Sequence, residues 1–184
     1  MVMNQRTIRI VTWSSIVASH ATIAGLDTIF YAASGTQTFP SDSARAAFRE
    51  RWLGSYLTYE PSEAFLAIDR DGSVAGYLVG ALRDPVLDQR HADLGYFQDF
   101  AHVTPRYPAH LHVNVASQYR SAGLGARLVE AFAAHAQARG APGVHVVTGQ
   151  GMRNVGFYLR NGFVEVAEAP WNGRTVVMLG RTFG

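Results

Sequence analysis

The 184-residue chain contains no cysteine. That excludes disulfides, thiolate metal sites and a cysteine nucleophile, and it fits a reducing compartment, with the cytoplasm as the expected location. Lysine is absent too: all sixteen basic residues are arginines, so the only aliphatic amine the chain carries is its α-amino group. No apolar run approaches the roughly 20 residues needed to span a bilayer, because Arg, Asp, Gln or Gly interrupts each one. Met1 to Ile10 carries Arg6 and Arg9 but no apolar stretch followed by a small-residue cleavage site, so no secretory signal is expected. The formal charge of +2 comes with no basic run. Neither nucleic acid nor a membrane surface is therefore an expected partner; a small molecule or a peptide is.

No repeat, low-complexity tract or Pro/Ser-rich linker divides the chain, so residues 1–184 read as a single domain. A chain of this length buries roughly two-thirds of its unfolded surface without covalent staples. The pattern is mixed α/β. Thr7 to Val11 reads as a strand, followed by helical stretches at Ser15 to Tyr31 and Asp42 to Tyr59, the second capped by Ser41 or Asp42. Ala64 to Asp69 and Val74 to Leu82 read as a hairpin, because Asp71-Gly72 supplies the positive φ that a tight turn needs. From Arg83 to Pro108 there are three prolines and the aromatics Tyr96, Phe97, Phe100 and Tyr107 without clean periodicity, which reads as a long, partly ordered excursion. A strand at His110 to Val115 follows. Next comes a helix with Leu124, Leu128, Ala131, Phe132 and His135 on one face, ending near Gly140. Val144 to Thr148 is a strand and Arg153 to Asn161 a short helix. Phe163 to Ala169 and Arg174 to Arg181 pair around Trp171-Asn172-Gly173.

Between the strand ending at Val115 and the helix lies the most informative segment, Val113 to Leu128 (VNVASQYRSAGLGARL). N–H groups at a helix N-terminus have no intrahelical acceptors and sit at the positive end of the helix dipole, so a pyrophosphate can be held there. Gly123 and Gly125 let the backbone approach an anion closely, and Arg120 and Arg127 add positive charge. Such a turn also serves ordinary packing.

The run Gln118-Tyr119-Arg120-Ser121-Ala122-Gly123-Leu124-Gly125-Ala126 resembles the Arg/Gln-x-x-Gly-x-Gly/Ala signature of the GNAT acetyltransferases. Proline is frequent in that family where Ser117 stands, and glycine where Ser121 stands. A second family signature, a short helix with Tyr and then Gly-Phe, is matched by Tyr158 and Gly162-Phe163. A narrower stretch, Tyr107 to Val115 (YPAHLHVNV), with Gly76-Tyr77-Leu78-Val79-Gly80, is similar to acetyltransferase-like domains fused to some O-GlcNAc hydrolases and to their free-standing bacterial relatives.

The resemblance implies a GNAT fold with a central mixed, largely antiparallel sheet flanked by helices. It implies an N-acetyltransferase that moves an acetyl group from acetyl-CoA to a primary amine by direct attack, with no metal. The cofactor-binding set it carries over is Val113, Val115, Arg120, Ser121, Ala122, Gly123, Leu124, Gly125, Ala126 and Asn154. Many members have their asparagine seven residues before the tyrosine, whereas Asn154 is four before Tyr158. Tyr158 matches the residue that protonates the leaving thiolate, a task suited to a phenol that stays protonated at neutral pH. For the general base, His110, His112 and Asn114 share one face of a strand, and Asp99 and His102 lie in the excursion; His112 is favoured, because imidazole titrates near neutrality. In many GNAT enzymes a water chain takes the proton instead. The His-x-His pair has no third ligand at sensible spacing, so a metal site is not expected. Trp52, Tyr56, Tyr59, Phe97 and Phe100 are candidates for the acceptor-site lining, and the C-terminal hairpin for a homodimer contact. The alternative is a catalytically silent acetyl-CoA-binding module with a sensing or partner role. A nucleotide-binding protein is disfavoured: no acidic residue follows the turn at about 20 residues, and no Gly-Lys-Ser/Thr is present.

Overall fold

The structure, a computed structural model, describes residues 8–184. In chain order the strands are β1 (Arg9–Thr12), β2 (Phe65–Ile68), β3 (Val74–Ala81), β4 (Ala109–Val115), β5 (Gly143–Gly149), β6 (Val164–Trp171) and β7 (Arg174–Thr182). The helices are α1 (His20–Ala33), α2 (Asp42–Arg49), α3 (Ser55–Tyr59), α4 (Tyr96–Asp99), α5 (Leu124–Ala138) and α6 (Arg153–Arg160). The strands form one sheet in the order β1-β2-β3-β4-β5-β7-β6. β1 with β2, β2 with β3, β5 with β7 and β6 with β7 are antiparallel, and β4 with β5 is parallel. By internal packing the chain resolves into two compact units, each discontinuous in sequence. The first takes the described residues up to Gly80 with Val113–Phe132; the second takes Ala81–His112 with Ala133–Gly184.

In the first unit, Thr7 of the expected N-terminal strand lies outside the described residues, Ile8 precedes the strand, and Arg9 to Val11 fall in β1, which runs on to Thr12. The expected helix from Ser15 starts only at His20, because the Ser19 side chain accepts the Thr22 N–H at 3.1 Å and so sets the N-terminus. Ser41 caps α2 in the same way through the Ala44 N–H, also at 3.1 Å. The helical stretch to Tyr59 is interrupted by a π-helical turn at Glu50–Gly54 between α2 and α3. At that turn Gly54 makes room for the Glu50 carboxylate, since a Cβ there would sit 2.1 Å from Glu50 Oε2. Arg49 Nε donates to Asp27 Oδ1 at 2.7 Å and ties α2 to α1. The β2–β3 hairpin turns at Gly72 with φ +86°, the left-handed conformation that glycine supplies without strain. Leu26, Leu53, Leu66, Leu78, Leu128 and Phe132 are fully buried and make the core of this unit.

In the second unit the segment from Arg83 to Pro108 is not a partly ordered excursion but packed structure. It holds three 3₁₀ turns and α4, and Leu94, Tyr96, Phe97, Phe100 and Tyr107 are buried. Its order comes from side chains that satisfy the backbone locally: Asp84 accepts the Val86 N–H at 2.9 Å and Asp88 the Arg90 N–H at 3.0 Å. Thr104 Oγ1 then donates to the other Asp84 oxygen at 2.8 Å and ties the two ends of the segment together. Phe97 and Phe100, expected near an acceptor, are core residues, as is Tyr56 in the first unit; Trp52 is half-buried and Tyr59 is exposed. The C-terminal hairpin β6–β7 turns at Asn172 (φ +48°) and Gly173 (φ +73°), the pair of positive φ values that a two-residue hairpin turn requires. The Tyr107 ring lies against β7, so that a Cβ at Gly180 would stand 2.7–2.9 Å from three of its ring atoms. Because Tyr107 is buried and has nowhere to retreat, Gly180→Ala should lower stability by about 1–3 kcal/mol in urea denaturation. An unchanged midpoint would show that the ring is free to move.

Candidate active site

All the residues of the expected anion turn lie in the first unit. After β4 the chain makes a 3₁₀ turn at Ser117–Tyr119, and α5 begins at Leu124. Between them, Ser121 has φ +63° and Gly123 φ +74°, two left-handed residues flanking Ala122. Successive N–H groups in such a conformation converge on a concavity that suits an anion. Among the described residues, the main-chain N–H groups of Ser121 to Ala126 have no protein acceptor. Nothing among the described residues lies within 4 Å of where a Gly123 Cβ would stand. Arg120 Nε donates to the Val115 carbonyl at 3.1 Å and Arg127 Nη2 to the Ile8 carbonyl at 3.0 Å, which pins both guanidinium groups beside the turn. The turn is anchored from below: Tyr119, almost wholly buried, donates its hydroxyl to Asp69 Oδ2 at 2.5 Å. Asn114 Nδ2 donates to the buried Tyr77 hydroxyl at 2.9 Å.

Tyr158, Asn154 and His112 lie in the second unit. Tyr158 is on α6, packed edge-on against Phe157 and Phe163, whose ring centroids lie 5.1 and 5.4 Å away. Burial pushes its phenol well above the ordinary tyrosine value, so it holds its proton at any working pH. Among the described residues its hydroxyl makes no hydrogen bond, which leaves the proton available to donate. Asn154 accepts from Thr148 Oγ1 at 3.0 Å, binding α6 to the end of β5. The parallel pairing of β4 with β5 covers only Ala109–His110 against Val144–His145. His112, half-buried, stands past the end of that ladder. Burial first, then the neighbouring His91 and His145, push its imidazole down to about 4, so it is neutral at neutral pH but a weak proton acceptor.

The acetyltransferase (GNAT) family model matches residues 31–163, well over half of the chain. The chain belongs to the GNAT family. Solved structures share the fold across almost the whole chain. SsHAT superposes with a TM-score of 0.72 at 21% identity, covering 95% of this chain and 98% of that one. A chain of the NatC complex bound to Gag peptide and CoA gives 0.63 at 16% identity, covering 96% and 99%. Naa20 from Chaetomium thermophilum, in complex with a bisubstrate analogue, gives 0.59 at 20%, covering 96% and 86%. At these identities the likeness speaks to the fold.

Sequence reasoning found the GNAT turn but not its anchors. The Tyr119–Asp69 and Asn114–Tyr77 bonds join residues 50 and 37 positions apart, and no local pattern marks them. It also missed a histidine cluster in the second unit. His91 and His110 stack edge-on at 5.0 Å, and His110 lies 5.6 Å from His145, whose ring is completely buried. His145 Nδ1 faces the Tyr107 carbonyl at 2.5 Å and must therefore carry the proton, which leaves Nε2 as a buried lone pair with no hydrogen bond. Burial pushes His145 down to about 4, and burial together with its histidine neighbours pushes His110 well below the usual value. No group of three or more potential ligands among the described residues is arranged to hold a metal, and no described helix is long and apolar enough to cross a membrane.

Two outcomes follow from this geometry. Ser121→Gly relieves an L-residue of a left-handed conformation and should raise stability by about 0.5–1 kcal/mol, read from the thermal or urea midpoint. The histidines titrate lower folded than unfolded, so between about pH 6.5 and 4 the unfolded chain binds more protons. Stability should be complete above pH 6.5 and fall as the pH drops, each of these groups adding a slope of up to about 1.4 kcal/mol per pH unit. Urea titrations at pH 7.5, 6 and 5 measure this, and equal midpoints would contradict it.

Proposed function

We propose that this protein is an acetyl-CoA-dependent N-acetyltransferase acting on a primary amine of a small molecule or peptide. The observation that carries the reading is the run of main-chain N–H groups from Ser121 to Ala126, left without protein acceptors at the start of α5. These donors, with Arg120, Gly123 and Gly125, fit a pyrophosphate, because fixed N–H dipoles at a helix start favour negative charge at no reorganisation cost. In this reading the main chain of Val113 and Val115, beyond the β4–β5 ladder, holds the pantetheine arm, and the Val115 N–H faces the thioester oxygen.

The reaction is attack of the neutral amine nitrogen on the thioester carbonyl carbon. A C–N bond forms, the C–S bond breaks, the amine loses a proton and the departing sulfur gains one. Tyr158, which keeps its proton at working pH, offers the departing sulfur a hydrogen bond and then its proton; burial raises its proton affinity, which favours the hydrogen bond over early proton transfer. His112, neutral at working pH, accepts the amine proton through water. Its low proton affinity gives it little driving force, so it contributes less than Tyr158.

Calorimetric titration of acetyl-CoA, followed by thiol release across a panel of amines, tests the reading. Gly123→Val forces a β-branched residue to φ +74° and should abolish binding. Tyr158→Phe should bind acetyl-CoA normally and lower kcat by about 10²–10³-fold with KM little changed. His112→Ala should cost less than Tyr158→Phe. Binding by wild type without turnover on any amine would instead make the protein a silent acetyl-CoA-binding module. Absence of binding would overturn the acetyl-CoA reading altogether.

A further inference from the structure

Asn114 stands on β4 between Val113 and Val115, the two residues whose main chain holds the pantetheine arm in the reading above. The face of the sheet that its side chain occupies follows from the register of the first unit. Leu66 pairs with Tyr77 and Phe65 with Leu78, so Tyr77 and Leu78 lie on opposite faces. The Phe132 ring of α5 packs edge-on against Phe65 at 6.2 Å, which puts α5 on the Leu78 face. The Asn114 amide bonds the Tyr77 hydroxyl and so belongs to the other face, away from the helix that follows the anion turn. On that face the charges of Asp27 in α1 and Arg49 at the end of α2, themselves joined at 2.7 Å, act on the Tyr77 phenol. Gly76 lets β3 close on β4 here: a Cβ at Gly76 would stand 3.0 Å from the Asn114 carbonyl oxygen and 3.3 Å from Val115 Cα.

The two ends of the Asn114 amide are used differently. Nδ2 donates to the Tyr77 hydroxyl at 2.9 Å, and that phenol, almost wholly buried, cannot follow a moving partner. The bond therefore fixes the amide plane and turns Oδ1 away from Tyr77. Among the described residues Oδ1 accepts no hydrogen bond. Asn114 is only half-buried, so the oxygen is held still yet within reach of a ligand. Burial pushes the Tyr77 phenol well above the ordinary tyrosine value, so the pair stays neutral and keeps its arrangement across working pH. A fixed carbonyl oxygen beside a thioester can orient an N–H without reorganisation, and being uncharged it does not hold an amine as its ammonium.

A primary amine brings two N–H groups to the thioester. As the C–N bond forms and the C–S bond breaks, one proton leaves the nitrogen; the other stays and becomes the N–H of the amide product. We infer that Asn114 Oδ1 accepts this retained N–H and thereby selects primary over secondary amines, with Tyr77 as the positioning residue that aims it. A secondary amine has a single N–H, which the reaction consumes, so it leaves Oδ1 without a donor. The inference rests on the N-acetyltransferase reading above and gives it a residue that reads the class of acceptor.

The test compares thiol release from acetyl-CoA with benzylamine, ethanolamine and alanine amide, each against its N-methyl counterpart. Wild type, Asn114→Leu, Asn114→Asp, Tyr77→Phe and the Asn114→Leu, Tyr77→Phe double variant are measured. Wild type should favour the primary amine by about tenfold or more in kcat/KM, the order expected when a buried acceptor loses its donor. Asn114→Leu keeps the shape of the side chain but not its acceptor, so the ratio should fall most of the way to one. Asn114→Asp keeps an acceptor toward the amine and should hold the ratio. Tyr77→Phe frees the amide to rotate and should reduce the ratio by less than Asn114→Leu does. The double variant leaves no buried hydroxyl unpaired and should match Asn114→Leu in ratio. Comparable calorimetric affinity for acetyl-CoA shows that the variants are folded. A ratio that survives in both leucine variants makes the discrimination steric and overturns the inference. Equal use of both members of each pair by wild type overturns it too, as does a ratio lost in Asn114→Asp as fully as in Asn114→Leu. Those results leave the acetyltransferase reading standing, whereas turnover of no amine by wild type removes both.

Discussion

Between β4 and α5 a run of main-chain N–H groups, exposed from Ser121 to Gly123, has no acceptor among the described residues. The left-handed residues Ser121 and Gly123 turn these N–H groups toward one point, and the start of α5 adds the positive end of its dipole. Much of the first unit serves to hold that turn still. Tyr119 reaches under it to Asp69, Arg127 crosses to β1, and Arg120 folds back on the strand that leads into it. The strain of keeping a serine at φ +63° is tolerated because its neighbours over-determine the conformation. A loop free to relax would let these donors point apart.

The second unit solves a different problem. Its segment from Arg83 to Pro108 has no helix or strand long enough to satisfy its own backbone, so aspartate and threonine side chains do so, and aromatic rings fill the space beneath. Buried imidazoles are part of that filling. Neutral histidine is an adequate packing ring, yet each one carries a cost that appears only in acid, which links the integrity of this unit to pH. Tyr158 is placed by the same logic: aromatic neighbours keep the ring fixed and dry, and the dryness is what holds its proton.

Patterns of short range were legible in the sequence. The β2–β3 hairpin, the β6–β7 hairpin, the Gly-containing turn before α5, the Ser41 cap and the Tyr158 helix all depend on residues within a few positions of one another, and the structure has each where the pattern puts it. The start of α1 falls later than expected because Ser15 and Ser19 are both residues able to cap, and it is Ser19 that accepts an N–H while the Ser15 hydroxyl donates to the Thr12 carbonyl. The segment from Arg83 to Pro108 was misread as loose because its order comes from side-chain bonds to the backbone, which leave no hydrophobic period.

The sequence by itself determined the family, the order of elements and the turn that offers its N–H groups, because backbone conformation follows from glycine, capping and alternation over a few residues. Tertiary structure alone decided what surrounds that turn: that Asp69 is Tyr119's acceptor, that Phe97 and Phe100 are core rather than lining, that His110 and His145 are buried together and that Tyr77 holds the Asn114 amide. Burial, proton affinity and charge pairing belong to the space around a residue. The neighbours that set them lie tens of positions away along the chain.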